Sequence, residues 1–140
     1  MKLYFDELVK KKTIHLRRNG LHDDDLEVII KVLHDKNSAV KTLYLSHNDI
    51  TLADGKFTDA LSNNNTLIEE LHLYNNSISR EGAKFLAAAL AKNDTLKKLY
   101  LSSNNIGVEG AKHLAEALKV NTTLEIIWLN SNNIDDDGKK

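Results

Sequence analysis

The sequence predicts one right-handed α/β solenoid, with a curved parallel sheet on its concave side and helices on its convex side. Three observations predict it. A segment of the form apolar-x-apolar-x-x-Asn-x-apolar recurs five times in phase along the chain. Inside each copy the first two apolar residues alternate, which is the period of a strand with one buried face. After most copies, apolar residues return at i, i+3, i+4 and i+7, the stripe of a half-buried helix. A right-twisted strand followed by a helix packs back onto its own sheet in one hand only, so successive units build a right-handed coil.

The 140 residues form a single domain, residues 1–140, long enough to bury about two thirds of its unfolded surface. Residues 1–12 carry Leu3, Tyr4, Phe5, Leu8 and Val9 ahead of Lys10-Lys11-Lys12, which predicts a short helix acting as an N-terminal cap or partial repeat. Strands are predicted near 14–16, 43–45, 71–73, 99–101 and 127–129. They belong to the segments beginning Ile14-His-Leu16, Leu43-Tyr-Leu45, Leu71-His-Leu73, Leu99-Tyr-Leu101 and Ile127-Trp-Leu129. Each is followed by an asparagine: Asn19, Asn48, Asn76, Asn104 and Asn132. A side-chain amide both donates and accepts, so these asparagines are expected to satisfy the backbone where the chain leaves the strand.

Helix stripes follow at Leu26, Ile29, Ile30 and Leu33, at Ala83, Leu86, Ala87 and Leu90, and at Ala111, Leu114, Ala115 and Leu118. The second repeat is poorer. Gly55, Thr58, Asp59 and Ser62 occupy its stripe, and only a one-residue deletion brings in Phe57 and Leu61. The weakest helix is expected there, with the compensating extra residue in Leu67-Ile68-Glu69-Glu70. The fifth strand is followed by Asp135-Asp136-Asp137-Gly138-Lys139-Lys140, read as a solvated tail that leaves the last strand open.

The five segments resemble the leucine-rich repeat, and a spacing of 28 residues with a long helix resembles its ribonuclease-inhibitor-like subtype, over about residues 11 to 140. The resemblance implies protein recognition, as in the repeat domains of NOD-like receptors and the GTPase-activating proteins for Ran. The cysteine richness of the inhibitor itself is missing, since the chain has no cysteine.

Composition excludes other classes. A formal charge of −1 withholds the basic footprint of nucleic-acid and anionic-membrane binders, so neither partner is expected. No apolar stretch approaches the roughly twenty residues of a membrane span. Without cysteine or a signal-like segment, a reducing, cytoplasmic location is expected. No enzyme is expected either: phosphate-loop, dinucleotide, zinc-protease and serine-hydrolase motifs are all missing. No cofactor and no metal is predicted. His15 and His72 stand in one strand column with Tyr44 between them, roughly 10 Å apart at a strand spacing of about 4.8 Å, too far to share one ion. Gly107-Val-Glu-Gly110 superficially matches a nucleic-acid clamp loop, but Gly110 repeats Gly82 at a helix start. The sequons Asn75-Asn76-Ser77 and Asn121-Thr122-Thr123 follow from the abundance of asparagine.

The residues between the two strand leucines are His15, Tyr44, His72, Tyr100 and Trp128, all of them rings. Rings suit strands and pack across them, yet this column is expected on the open concave face, where exposed rings are effective anchors. Beside it run Arg17, Ser46, Tyr74, Ser102 and Asn130, then Arg18, His47, Asn75, Ser103 and Ser131. The expected site for a protein partner is therefore Tyr44, His72, Tyr74, Tyr100 and Trp128, with Arg17 and Arg18 selecting an acidic segment at one end. A second reading is a structural or self-assembling segment that forms a homodimer through its open C-terminal strand.

Overall fold

The computed structural model describes residues 2–63 and 66–134. The chain runs α1 (Phe5–Leu8), β1 (Thr13–His15), α2 (Glu27–His34), β2 (Thr42–Tyr44), α3 (Lys56–Leu61), β3 (Glu70–His72), α4 (Arg80–Lys92), β4 (Lys98–Tyr100), α5 (Gly107–Leu118) and β5 (Ile126–Trp128), with a 3-10 turn at Asp23–Leu26 leading into α2. The strands form one parallel sheet in sequence order, as an α/β solenoid of five repeats requires. Strands lie about 4.8 Å apart and helices about 8–10 Å apart, so the wider helix layer takes the outside of the curve and the sheet the inside.

Each strand begins and ends one residue before its predicted span. The ladder engages before the first leucine: the N–H groups of Thr42, Glu70 and Lys98 donate to the carbonyls of Lys12, Lys41 and Glu69. It also continues past the strand, Leu45 donating to His72 and Leu73 to Tyr100, both at 2.9 Å. Both leucines of the pattern thus stay on the sheet, and Leu43, Leu45, Leu71, Leu73, Leu99 and Leu101 have no exposed surface. A further core row precedes the strands at the same period and lies outside the alternating pattern: Val40, Ile68 and Leu96 are buried and Leu124 packs against them.

The helices follow their stripes with two corrections. In α4 all four predicted positions are buried. In α2 Val32 is buried and Ile30 only partly so, because the first turn is 3-10 and rotates the helix relative to the predicted phase. In α5 Leu114 and Ala117 are buried, whereas Ala115 and Leu118 are exposed. A stripe is buried only where a neighbouring helix covers it, and among the described residues no helix follows α5. The expected weak helix is α3, at six residues the shortest of α2 to α5. It buries Phe57 and Leu61, as the one-residue deletion requires, and Leu52 at φ 60° carries the shortened entry turn. The compensating residue lies ahead of Ile68, since Ile68 already keeps the 28-residue spacing from Val40 and Leu96.

Gly82 and Gly110 allow this close packing. A Cβ on Gly82 would stand 2.2 Å from the Thr51 carbonyl oxygen, and one on Gly110 would stand 2.6 Å from Ile106 Cγ2 and 3.1 Å from Ala83 Cβ of α4. Gly107-Val-Glu-Gly110 is therefore a helix start fitted to its neighbour. Asp23 is likewise an inter-repeat clamp: its carboxylate accepts from the Thr51 and Leu52 N–H groups and from the Thr51 hydroxyl. The second aspartate run, Asp135-Asp136-Asp137, lies outside the described residues.

The asparagines form a ladder. Asn104 Nδ2 donates to the carbonyls of Leu73 and Leu101, while its Oδ1 accepts the Ile78 N–H at 2.9 Å. Asn48, Asn76 and Asn132 repeat the arrangement. Each interior leucine carbonyl thereby receives two amides, one from its own repeat and one from the next. At the first turn the side-chain amide of Asn19 donates to Arg17 O, while its backbone N–H donates to Asn48 Oδ1. A second ladder runs where the helices end. Asn93 donates to Leu61 O and Asn121 to Leu90 O and Asn93 O, while their Oδ1 atoms accept from the Thr and Leu that follow in Asn-x-Thr-Leu. The sequon at Asn121 thus has a structural role that the reading from abundance missed.

Candidate functional site

The ring column forms one stack. His15 lies 4.8 Å from Tyr44 with planes 6° apart, Tyr44 lies 4.3 Å from His72, and His72 lies 4.4 Å from Tyr100. Strand spacing of about 4.8 Å matches the thickness of an offset ring stack, so one ring per repeat fills the row. At the C-terminal end the pattern breaks: Trp128 meets Tyr100 edge-on, at 87°, and is 56% exposed.

This packing corrects the expectation that the whole column is open. His15 and Trp128 at its ends are exposed, but Tyr44, His72 and Tyr100 are partly buried because each offers both faces to its neighbours. His72 is also held by Glu70 Oε1, 2.8 Å from its Nε2. Tyr74 stands beside the stack, edge-on to His72 and to His47, and is partly buried. Arg17 and Arg18 are exposed.

Ser46, in the row of Arg17 and Tyr74, has no exposed surface, and its hydroxyl has no hydrogen-bond partner. It is core. A buried hydroxyl without a partner loses its hydration for nothing, so Ser46→Ala should leave stability unchanged or raise it by about 1 kcal/mol. Chemical denaturation checks this, and a loss of stability would show an unseen partner.

The next row has a property that side-chain chemistry alone did not announce. Arg18, His47, Asn75, Ser103 and Ser131 all adopt φ between 55° and 61°. In every repeat a left-handed residue makes the turn out of the strand, and none of them is glycine. His47 stands among them with Asn75 Nδ2 2.6 Å from its Nδ1. Its pKa is lowered, first by partial burial and then by the positive charges of Arg18 and Arg17. His47 was outside the predicted anchors; its repeat position, matching that of Arg18, was the available signal.

Among the described residues no three His, Asp or Glu side chains converge as metal ligands, and no helix is long and apolar enough to cross a membrane. The concave face offers ring edges, one exposed indole, hydroxyls, amides and two guanidinium groups.

Comparison with known proteins agrees with this geometry. The family described as Leucine Rich repeat matches residues 36–56, 64–87, 92–115 and 120–138, more than half of the chain. Among the solved structures that match is the chain titled "Leiomodin-1 Actin-Binding Site 2 (ABS2)", with a TM-score of 0.75, 23% identity, and coverage of 90% of this chain and 74% of that one. At that identity the likeness carries the fold alone. No curated protein sequence matches the chain.

Proposed function

The chain belongs to the leucine-rich repeat family, and on that premise we propose that it is a protein-recognition module whose concave sheet is the docking face. The 28-residue spacing with a helix in each of the longer repeats supports the ribonuclease-inhibitor-like subtype. The observation that carries the docking site is the polarity of the ring row. Exposed arginines flank its first ring, His15, and an exposed tryptophan closes its other end, with a pre-stacked central platform between. Four strand spacings span about 19 Å, the length of roughly six extended residues. A rigid platform loses little entropy on binding, and an indole buries a large area with few rotors to freeze.

The packing divides the named residues. Trp128 is the anchor, Tyr74 and Tyr100 present edges, Arg17 and Arg18 steer, and Tyr44 and His72 support the platform from within. Trp128→Ala is expected to cost about 2 kcal/mol of partner binding with little change in melting temperature, and Arg17→Gln to flatten the salt dependence of association. His72→Ala is expected to lower the melting temperature, because both of its faces are packed. Affinity capture with wild type beside these variants, at matched folded concentration, tests the reading. Equal capture by wild type and Trp128→Ala overturns it.

The C-terminal end favours a second reading, association of two copies. Leu118 and Val120 are 36% and 63% exposed, and Leu114, Leu118, Leu129 and Ile134 line a groove of about 570 Å³ beside β5. Two such ends related by a two-fold axis would cover one another. Sedimentation of wild type against Val120→Glu decides it, a monomer at all concentrations removing the idea.

A further inference from the structure

Arg18 and His47 occupy the same place in successive repeats, both left-handed at φ 57°. The Arg18 N–H donates to Ser46 O at 3.2 Å, which ties their turns side by side, and Arg17 precedes Arg18 on the first of them. Both guanidinium groups are exposed. The ion pairs among the described residues join His22 to Asp49, His72 to Glu70, Arg80 to Glu81, Lys112 to Glu109 and Lys119 to Glu116, and leave both arginines out. Two cations without an ion pair among the described residues therefore share one corner with an imidazole.

Building on the concave-face reading, we propose that Arg17, Arg18 and His47 form a cationic corner that receives an acidic peptide segment of the partner, and that His47 takes up a proton as the segment seats. The charges that act on His47 are those of Arg18 and Arg17 from the turn after β1, and the Tyr74 ring and Asn75 amide contact it from the turn after β3. The carboxylate of its own turn, Asp49, pairs with His22. In the free protein partial burial, and then the fields of Arg18 and Arg17, oppose a charge on His47. With Asn75 Nδ2 donating to Nδ1, the ring proton sits on Nε2.

Carboxylates placed against Arg17 and Arg18 cancel the opposing field, and a protonated His47 adds a third cation to hold them. The new proton goes to Nδ1, and the exposed Asn75 amide turns to present its oxygen instead. Proton uptake on binding means that affinity rises as pH falls through the window at and below the ordinary imidazole value of 6.5. The corner thus makes recognition of an acidic segment sensitive to mild acidification.

The probe is a hexa-aspartate peptide, whose carboxylates remain ionised above about pH 5.5. Its affinity is measured at about pH 7.5 and 5.5 in low salt, with the His47 ring followed by NMR. Wild type is expected to bind about threefold to tenfold more tightly at the lower pH, a linkage of up to one pKa unit, with the His47 titration moving upward when peptide is present. His47→Gln is expected to lose that pH dependence, and the Arg17→Gln/Arg18→Gln double variant to lose binding at both pH values. No peptide binding, an unmoved His47 titration, or the wild-type pH slope in His47→Gln overturns the corner. Any of these results, found together with partner loss in Trp128→Ala, leaves the concave-face reading standing. Partner capture indifferent to Trp128→Ala removes that reading instead, whatever the peptide does.

Discussion

Leu101→Ala is expected to lower unfolding stability by about 2 to 5 kcal/mol, and Leu129→Ala by clearly less. Leu101 has no exposed surface and sits between Leu73 and Leu129 in the second core row, within the main apolar cluster. Truncation there removes three carbons and leaves a cavity that cannot collapse, because the ladder holds the strands on either side at fixed spacing. Leu129 belongs to the same row but is only partly buried, so it loses less on truncation. Urea denaturation of the two variants beside wild type gives the comparison. Equal costs would mean that the last repeat is covered as fully as an interior one.

Asn104→Ala is expected to cost about 2 to 3 kcal/mol through a more specific route. The carbonyls of Leu73 and Leu101 each keep one amide after the substitution, from Asn76 and Asn132 respectively. The Ile78 N–H loses its acceptor, Oδ1 of Asn104, in a buried position. Asn19→Ala provides the control, since Asn19 is exposed, its side-chain amide donates to Arg17 O, and its backbone bond to Asn48 survives the substitution; it should change stability by less than about 0.5 kcal/mol. Thermal melts of the two variants test the ladder. Indistinguishable melting temperatures would mean that water replaces the missing amide and that the ladder adds little.

Both expectations rest on how a repeat array divides its stability. Each repeat touches its neighbours and little else, so an interior residue contributes to two interfaces and a terminal one to a single interface. The same rule explains α5. Its sequence carries the alanines and leucines of α4 in the same positions, yet Ala115 and Leu118 are exposed. Periodicity reports which side chains are suited to burial, and burial itself needs a covering element.

From the sequence alone came the five strands in order, their common register, the asparagine ladder, the short helix of the second repeat and the identity of the ring column. All of these follow from a local pattern repeated at a fixed spacing, and repetition turns a local pattern into a sheet without any long-range ambiguity about partners. Only the tertiary structure decided which rings stay open. Tyr44, His72 and Tyr100 read as equals of Trp128 in the sequence, but their environment depends on stacking across strands whose separation equals the thickness of an aromatic pair. Likewise, the left-handed turn residues, the buried Ser46 and the grouping of His47 with Arg17 and Arg18 depend on the positions of neighbouring turns. Side-chain chemistry is written residue by residue, whereas accessibility and electrostatic field are sums over everything nearby, and those sums exist only once the repeats are stacked.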